Sequence, residues 1–374
     1  MHQKLTIENF KCFSEKTDIQ LGKITVCLGS NSVGKSSVIQ SCILLRQIYE
    51  QAVLFKDTQI REYNIQLNDV YGLQLGDNEH IKSSKDRQDI CLNIDGYEYS
   101  LISAKDSPME MTVQNTYDLG KLSREKGLFS ERFYYLNAER VGPRNYQTIN
   151  SKLVDNCGVY GENSVHLLSV LGLAKVKENR CFAMDENKKV NTFGKQAEYW
   201  MDYIIPGIEM NANDVTDLRI SRLSLQQPAL DTGFLSPYNF GFGISYVLPI
   251  ILTGLMAEEG SVFLVENPEA HLHPKGQSHI GYFLAVMALA GIQVVVETHS
   301  EHVLNGIRIA ALKNGMKPED ISINFFSVNT WGMDAKHQVE NIKLNHRMDL
   351  ETWPEGFLDQ EEEDLRTLRE LRRK

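Results

Sequence analysis

The stretch Gly29-Ser30-Asn31-Ser32-Val33-Gly34-Lys35-Ser36 constrains this chain more than any other. It fits the spacing Gly-x4-Gly-Lys-Ser/Thr of a phosphate-binding P-loop. Lys23 to Leu28 in front of it reads as a short buried strand, and Ser37 to Leu45 behind it reads as a helix. That order is what the chemistry needs. Glycines let the backbone turn its N–H groups toward phosphate oxygens, and a helix N-terminus adds partial positive charge. Asn31, Ser32, Gly34, Lys35, Ser36 and Ser37 are therefore the expected nucleotide contacts. Lys35 would reach the β/γ-phosphates and Ser36 would ligate Mg²⁺.

A chain of 374 residues has room for one elaborated domain or two. With 42% hydrophobic and 24% charged residues, the composition is that of an ordinary soluble protein. Met1 to Ile7 runs straight into a strand pattern, so no signal peptide and a cytoplasmic location are expected. The longest apolar run, Gly281 to Val296, is too short for a membrane span and is interrupted by Gly291. It reads as a helix end running into a core strand. Six scattered cysteines with no Cys-x-x-Cys pair fit a reducing compartment and argue against a zinc finger or disulfide scaffold. A net charge of −10 argues against non-specific coating of DNA, although a local basic patch remains compatible with it.

In chain order, Leu5 to Phe13 reads as an edge strand and turn. The P-loop helix is expected to reach about Leu54, with Ile39, Ile43, Leu44 and Ile48 on its buried side. Ile65 to Asp77 fits a strand and Gly turn, where Gln74 is either a Mg²⁺- or water-sensing glutamine or plain polar surface. Two alternating runs, Asp89 to Ile94 and Tyr97 to Ile102, flank Asp95-Gly96, a strong hairpin signal. Phe133 to Leu136 is another strand, leading to Arg140 and Arg144, which either face phosphate or pair with surface carboxylates. Residues 150–235 read as an inserted lobe with helices near Asn163–Val176 and Gly194–Ile205 and a strand from Val215 to Leu225.

Further along, Ser261 to Glu266 has the pattern of a buried parallel strand ending in an acid, the Walker B arrangement beside Mg²⁺. Ile292 to Glu297 is a second buried strand, ending in Thr298-His299-Ser300. Between the lobe and these strands, Asn239-Phe240-Gly241-Phe242-Gly243-Ile244-Ser245 opens an apolar helix and offers a second anion-binding N-terminus. One triphosphate does not need two such sites in one chain. A head-to-tail dimer does.

Together these residues resemble the ABC-type ATPases of the SMC/RecF/OLD branch. The resemblance rests on Asn9-Phe10-Lys11-Cys12-Phe13, the P-loop, Gly241-Phe242-Gly243-Ile244-Ser245, Glu266-Asn267-Pro268-Glu269-Ala270-His271-Leu272-His273-Pro274 and Glu297-Thr298-His299-Ser300. Trp353-Pro354-Glu355-Gly356-Phe357 makes it most similar to compact bacterial AAA-family ATPases ending in such a box. It implies an α/β P-loop ATPase head: a mixed sheet flanked by helices, an N-terminal antiparallel β subdomain and an inserted, mainly helical lobe. Residues 1–149 would form the first half of the head, 150–235 the lobe, 236–345 the second half and 346–374 the C-terminal box and helix.

The resemblance implies ATP and Mg²⁺ as ligands, Ser36 and Glu266 at the metal, and His299 at the γ-phosphate. Gly241, Gly243 and Ser245 would serve the opposite subunit. The position after the Walker B acid, commonly a water-activating Glu, is Asn267, and an amide cannot act as a base. Glu269, or with less support Glu297, does that work, or hydrolysis is slow. His271 and His273 suit loop packing at the dimer seam better than a metal site. The tail from Gln360 to Lys374 orders its charges with the helix dipole, and Leu365, Leu368 and Leu371 form a stripe expected to pack on its own domain, with a docked partner as the alternative. The functional expectation is an ATPase that forms a dimer or a higher oligomer, without a membrane anchor. It would regulate a separate effector in a setting such as bacterial antiphage defence. A RecF-like DNA-repair or DNA-sensing ATPase, with nucleic acid as partner, and a slow or non-hydrolysing ATP-dependent scaffold are the alternatives.

Overall fold

The computed structural model describes residues 3–55, 62–83, 88–115, 127–149, 155–231, 233–329, 336–354, 356–357 and 360–372. The chain opens with β1 (Gln3–Glu8), β2 (Thr17–Leu21), β3 (Ile24–Gly29) and α1 (Lys35–Phe55). Next come β4 (Glu62–Gln66), β5 (Ile90–Ile94), β6 (Tyr97–Ser103), β7 (Glu110–Asn115), β8 (Phe133–Leu136) and the short β9 (Gln147–Thr148). α2 (Ser164–Leu171), α3 (Phe193–Ile204), β10 (Glu209–Val215) and β11 (Ile220–Gln226) follow. The last third carries α4 (Phe242–Met256), β12 (Val262–Glu266), α5 (Pro274–Leu289), β13 (Gln293–Glu297) and α6 (Glu301–Asn314). β14 (Ile321–Val328), β15 (His337–Ile342) and α7 (Gln360–Leu371) close the chain.

The central sheet has the order β15-β14-β3-β13-β12-β8, parallel except for β15. The P-loop strand β3 thus lies between two strands from the end of the chain, and β13 separates it from the acid-ended β12. This is a mixed sheet flanked by helices, as expected from the sequence. Its strands are apolar on both faces because both faces are covered. Cys27, Val262, Leu264 and Val295 point into one core with α1. Val26, Phe263, Val265, Val294 and Val296 point into the other, with α4, α5 and α6. The antiparallel subdomain, ordered β2-β1-β5-β6-β7-β4, packs on the α1 side.

Several expectations hold in detail. The hairpin pairs Ile94 with Tyr97 through Asp95 and Gly96 at φ 51° and 91°. α1 ends at Phe55, and Ile39, Ile43, Leu44 and Ile48 are fully buried. The run from Gly281 to Val296 is the end of α5 followed by β13. Among the described residues no helix is long and apolar enough to cross a membrane.

Other expectations are corrected. β1 is not an edge strand; it sits between β2 and β5. The strand expected from Val215 to Leu225 is the second half of a hairpin whose turn, Thr216–Leu218, needs no glycine because Arg219 itself adopts φ 51°. The first helix of the 150–235 segment stops at Leu171. That segment sets the β10–β11 hairpin beside its two helices, and Val165, Trp200, Met201 and Leu225 join the core of α4 and α5. β14 escaped the sequence reading because Ser322 and Asn324 interrupt its apolar run; both are buried and donate to the Gln20 carbonyl at 2.8 and 2.9 Å. In the C-terminal box, Phe357 is buried against Phe325 with Trp353 edge-on to it, whereas Glu355, Leu358 and Asp359 lie outside the described residues. α7 does not pack on its own domain: its side chains from Glu363 to Arg372 are exposed.

α5 and α6 cross on glycine. A Cβ at Gly306 would lie 1.8 Å from the Ser278 carbonyl oxygen, and one at Gly281 would lie 2.1 Å from that of Val303. Gly306→Ala should therefore force the helices apart and lower stability by about 1–3 kcal/mol, as overpacked cores do. Urea unfolding checks this, and an unchanged midpoint would show that the crossing is not tight.

Candidate nucleotide site

The loop between β3 and α1 is held by backbone geometry that side chains rarely adopt. Gly29 has φ 146° and Gly34 φ 113°. A Cβ at Gly29 would lie 2.2 Å from the Phe326 carbonyl oxygen, and one at Gly34 would lie 2.6 Å from Cys12 Sγ and 2.8 Å from Phe13 Cζ. The Asn9–Phe13 turn is therefore a prop beneath the loop, with Phe10 and Phe13 buried and Lys11 Nζ donating to Gln40 Oε1 at 2.8 Å. The sequence marked this turn as a family feature; the structure gives it a packing role.

Asn31 and Ser32 are exposed at the loop tip, Ser32 at φ 62°. Lys35 Nζ donates to the Gly29 and Ser30 carbonyls at 3.0 and 2.5 Å. Burial lowers its pKa, and Glu297 opposes that shift. Ser36 Oγ donates to Glu297 Oε1 at 2.8 Å, and Ser37 is buried at the start of α1.

Glu266 and Glu297 end adjacent parallel strands and stand side by side. Glu266 accepts from the Tyr135 hydroxyl at 2.9 Å and from the Ala138 N–H at 3.4 Å. Burial raises its pKa against those two hydrogen bonds. Glu297 is pushed up to about 7, by burial first and the Glu266 carboxylate second. The acid that Ser36 bonds is thus Glu297, a residue the sequence offers only as the second choice after Glu269 for the base. Strand order is the reason, because β13 lies next to β3 and β12 lies one strand further out.

Glu269 Oε1 accepts the His299 N–H at 2.8 Å. Burial and the Lys35 ammonium hold the His299 imidazole below its ordinary pKa, against Glu269 and the Gly29 backbone. Asn267 follows Glu266 at φ 43° and donates its N–H to the Glu297 carbonyl at 2.8 Å. Glu297 Oε2, Glu269 Oε2 and Asn267 Oδ1 are all buried without a hydrogen-bond partner. Three orphaned acceptors at one strand edge beside a phosphate loop fit a hydrated cation with a nucleotide. Among the described residues no three acidic, His or Cys side chains form an all-protein metal cage. Mg²⁺ does not require one, since it takes one or two carboxylates plus phosphate oxygens and water.

Arg140 takes neither role expected for it. It is 3% exposed and donates to the carbonyls of Asn137, Glu266 and Asn267 at 2.9, 2.6 and 2.7 Å, with its guanidinium over the Tyr246 ring. Burial lowers its pKa to about 10. It braces the acid-bearing loop from behind. Arg144 is exposed beside Ser245 in a shallow depression. Gln74 is exposed in a bridge to Asn68, and among the described residues no hydrogen bond joins it to Ser36 or Glu266.

The segment expected to offer a second anion site caps α4. Gly241 is its N-cap with no side-chain cap, Gly243 is packed 2.9 Å (as a Cβ) from the His271 carbonyl, and Ser245 is half-buried. Among the described residues no hydrogen bond or ion pair joins these three to residues 29–37. His271 stacks its edge on Tyr246 at 4.7 Å, and His273 caps α5 by accepting from the Lys275 N–H, so both serve loop packing.

Two family models of known type match the chain. Residues 1–156 match "AAA ATPase domain", and residues 182–305 match "AAA domain, putative AbiEii toxin, Type IV TA system". Residues 316–368, which include the Trp353–Phe357 box, match "Protein of unknown function (DUF3696)". No curated protein matches the chain. Among solved structures, an SMC head bound to the C-winged helix domain of ScpA is similar at 11% identity and a TM-score of 0.46, over 92% of this chain and 98% of that one. The SMC head domain from Thermotoga maritima gives 10% and 0.41, over 92% and 99%. An Smc head domain with an extended coiled coil, bound to the C-terminal domain of ScpA derived from Pyrococcus furiosus, gives 12% and 0.46, over 99% of both chains.

The raised Glu297 has a consequence for stability. Its folded pKa lies above its unfolded one, so the folded state holds the proton more tightly and stability falls as pH rises from the ordinary carboxylate range to about 7. Without nucleotide, Glu297→Gln should remove that loss, so the melting point of the variant relative to the parent should climb between pH 5 and pH 7 (roughly the window set by an ordinary and a raised carboxyl). A flat difference would show that Glu297 ionises freely.

Proposed function

We propose that this AAA-type P-loop ATPase, with its SMC-head-like fold, binds ATP with Mg²⁺ and hydrolyses it slowly in a head-to-tail dimer. The Gly241–Ser245 segment of one copy would complete the loop of the other. Closure and opening of that dimer would control a separate effector protein, in a defence role. The observation that carries the reading is that one chain holds two phosphate-suited segments with no hydrogen bond between them among the described residues. The description of the matched AAA domain, which names a toxin of a toxin–antitoxin system, supports the defence setting.

In this reading Lys35 and the loop N–H groups hold the phosphates. Ser36 and Glu266, with Glu297 beside them, would hold Mg²⁺, which supplies charge neutralisation at the β- and γ-oxygens. His299, kept neutral by burial and Lys35, suits a hydrogen bond to the γ-phosphate. Asn267 orients but cannot accept a proton. Glu269 takes the base role, with its unpartnered Oε2 as the accepting atom. That atom is held further along the loop than the usual position, which fits slow turnover.

Steady-state ATP hydrolysis as a function of protein concentration tests the reading. Turnover per chain should rise with concentration and fall at least about 100-fold in Lys35→Ala. Glu269→Gln should bind ATP normally and lose about 10²–10⁴ in rate, the range of a general base. Stimulation by duplex DNA would favour a DNA-repair or DNA-sensing role. A parent protein that binds ATP yet turns over no faster than Lys35→Ala would leave an ATP-dependent scaffold in place of an ATPase.

A further inference from the structure

Among the described residues, the apolar side of α7 is left exposed. Leu365, Leu368 and Leu371 are 46%, 47% and 60% exposed. Their i, i+3, i+6 spacing puts them on one stripe. At 12 residues the helix is about as short as an isolated helix can be and still persist in water. One ion pair, Arg366 to Glu370 at 3.4 Å, and the order of its charges along the dipole support it from within. Those features explain its charges. They leave its leucines in water.

We propose that the stripe is covered by α7 of a second copy of this chain, the two helices lying antiparallel. The charge order selects this occupant. Glu361, Glu362, Glu363 and Asp364 precede the stripe, whereas Arg366, Arg369, Arg372, Arg373 and Lys374 run through and beyond it. A uniformly acidic or basic partner would match one end and repel the other. A parallel copy would set like charge on like. An antiparallel copy sets acid against base at both ends. The leucines obey the same symmetry: Leu368 would face its own copy on the two-fold axis, and Leu365 would face Leu371. Such a contact is isologous and closes as a dimer. It requires no nucleotide, so it differs from the ATP-dependent contact proposed above. Tethering two heads through their tails would raise their effective concentration for one another.

The test uses the full-length chain carrying Lys35→Ala, without nucleotide, so that ATP-driven closure plays no part. Sedimentation across a concentration range should show monomer and dimer in equilibrium. Leu368→Glu should raise the dissociation constant at least tenfold. The site is exposed, so the thermal midpoint should not move. A charge pair then identifies the partner surface. One chain carries Glu363→Arg with Asp364→Arg, which leaves only Glu361, Glu362 and Glu370 as acids in its α7 and makes the helix basic on balance. A second carries Arg369→Glu with Arg372→Glu, making its α7 acidic. Each alone should be monomeric, and their mixture should dimerise. A parent chain that stays monomeric at every concentration would overturn the proposal. So would a dimer indifferent to Leu368→Glu, or charge variants that do not pair when mixed.

Discussion

The whole arrangement depends on β3 being held between β13 and β14. That pairing joins the first thirty residues to the last hundred, and it positions every group at the site. Glu297 lies level with Cys27 in the register, two residues before Gly29. Phe326 lies level with Gly29, and its carbonyl closes the space that a side chain there would need. The loop is therefore shaped by strands made last. Parallel pairing over such sequence distance carries a large loop-closure cost, which the two apolar cores on either face of the sheet offset.

Charge is concentrated at the edge so formed. Glu266, Glu269 and Glu297 meet the single ammonium of Lys35 where little water reaches them. Burial raises both strand-end carboxyls and lowers the lysine, so each group is less charged than in water. A preformed site that holds unpaired acceptors is destabilised until a cation and phosphates arrive, and binding relieves it. Arg140 keeps this from loosening the loop. It gives its hydrogen bonds to the carbonyls of Asn137, Glu266 and Asn267, so its cationic head fixes the backbone while its charge partly offsets the rise in the Glu266 pKa.

Much of this could be read from the sequence because it lies in local patterns. Two glycines and Lys-Ser after an apolar run define the loop, and four apolar residues before an acid define β12. Asp95-Gly96 defines its hairpin. What could not be read depends on register and burial. Nothing local says that Glu297 rather than Glu266 faces Ser36; only the placement of β13 next to β3 decides it. Arg140 looks like a surface arginine in the sequence because its partners are carbonyls, which no residue type announces. β14 hides behind Ser322 and Asn324, whose hydrogen bonds to Gln20 exist only once β2 is beside them. The turn at Arg219 takes a left-handed conformation that glycine or asparagine usually signals.

Asn267 joins the backbone and the chemistry. Its φ of 43° places it in the left-handed region. Asparagine visits that region readily, whereas a glutamate there would be disfavoured by about 1–2 kcal/mol. The same bend aims its N–H at the Glu297 carbonyl and turns the chain so that Glu269 reaches the His299 N–H. A glutamate at this position would restore a base next to the Walker B acid but strain the turn that delivers Glu269. Under the proposed function, the base either sits at the first position or, with the turn relaxed, comes from the third. In this chain the turn is the relaxed one, and the carboxylate that it delivers is tied by one oxygen to the backbone of the histidine beside the phosphate loop, so any movement of His299 on nucleotide binding must move Glu269 with it.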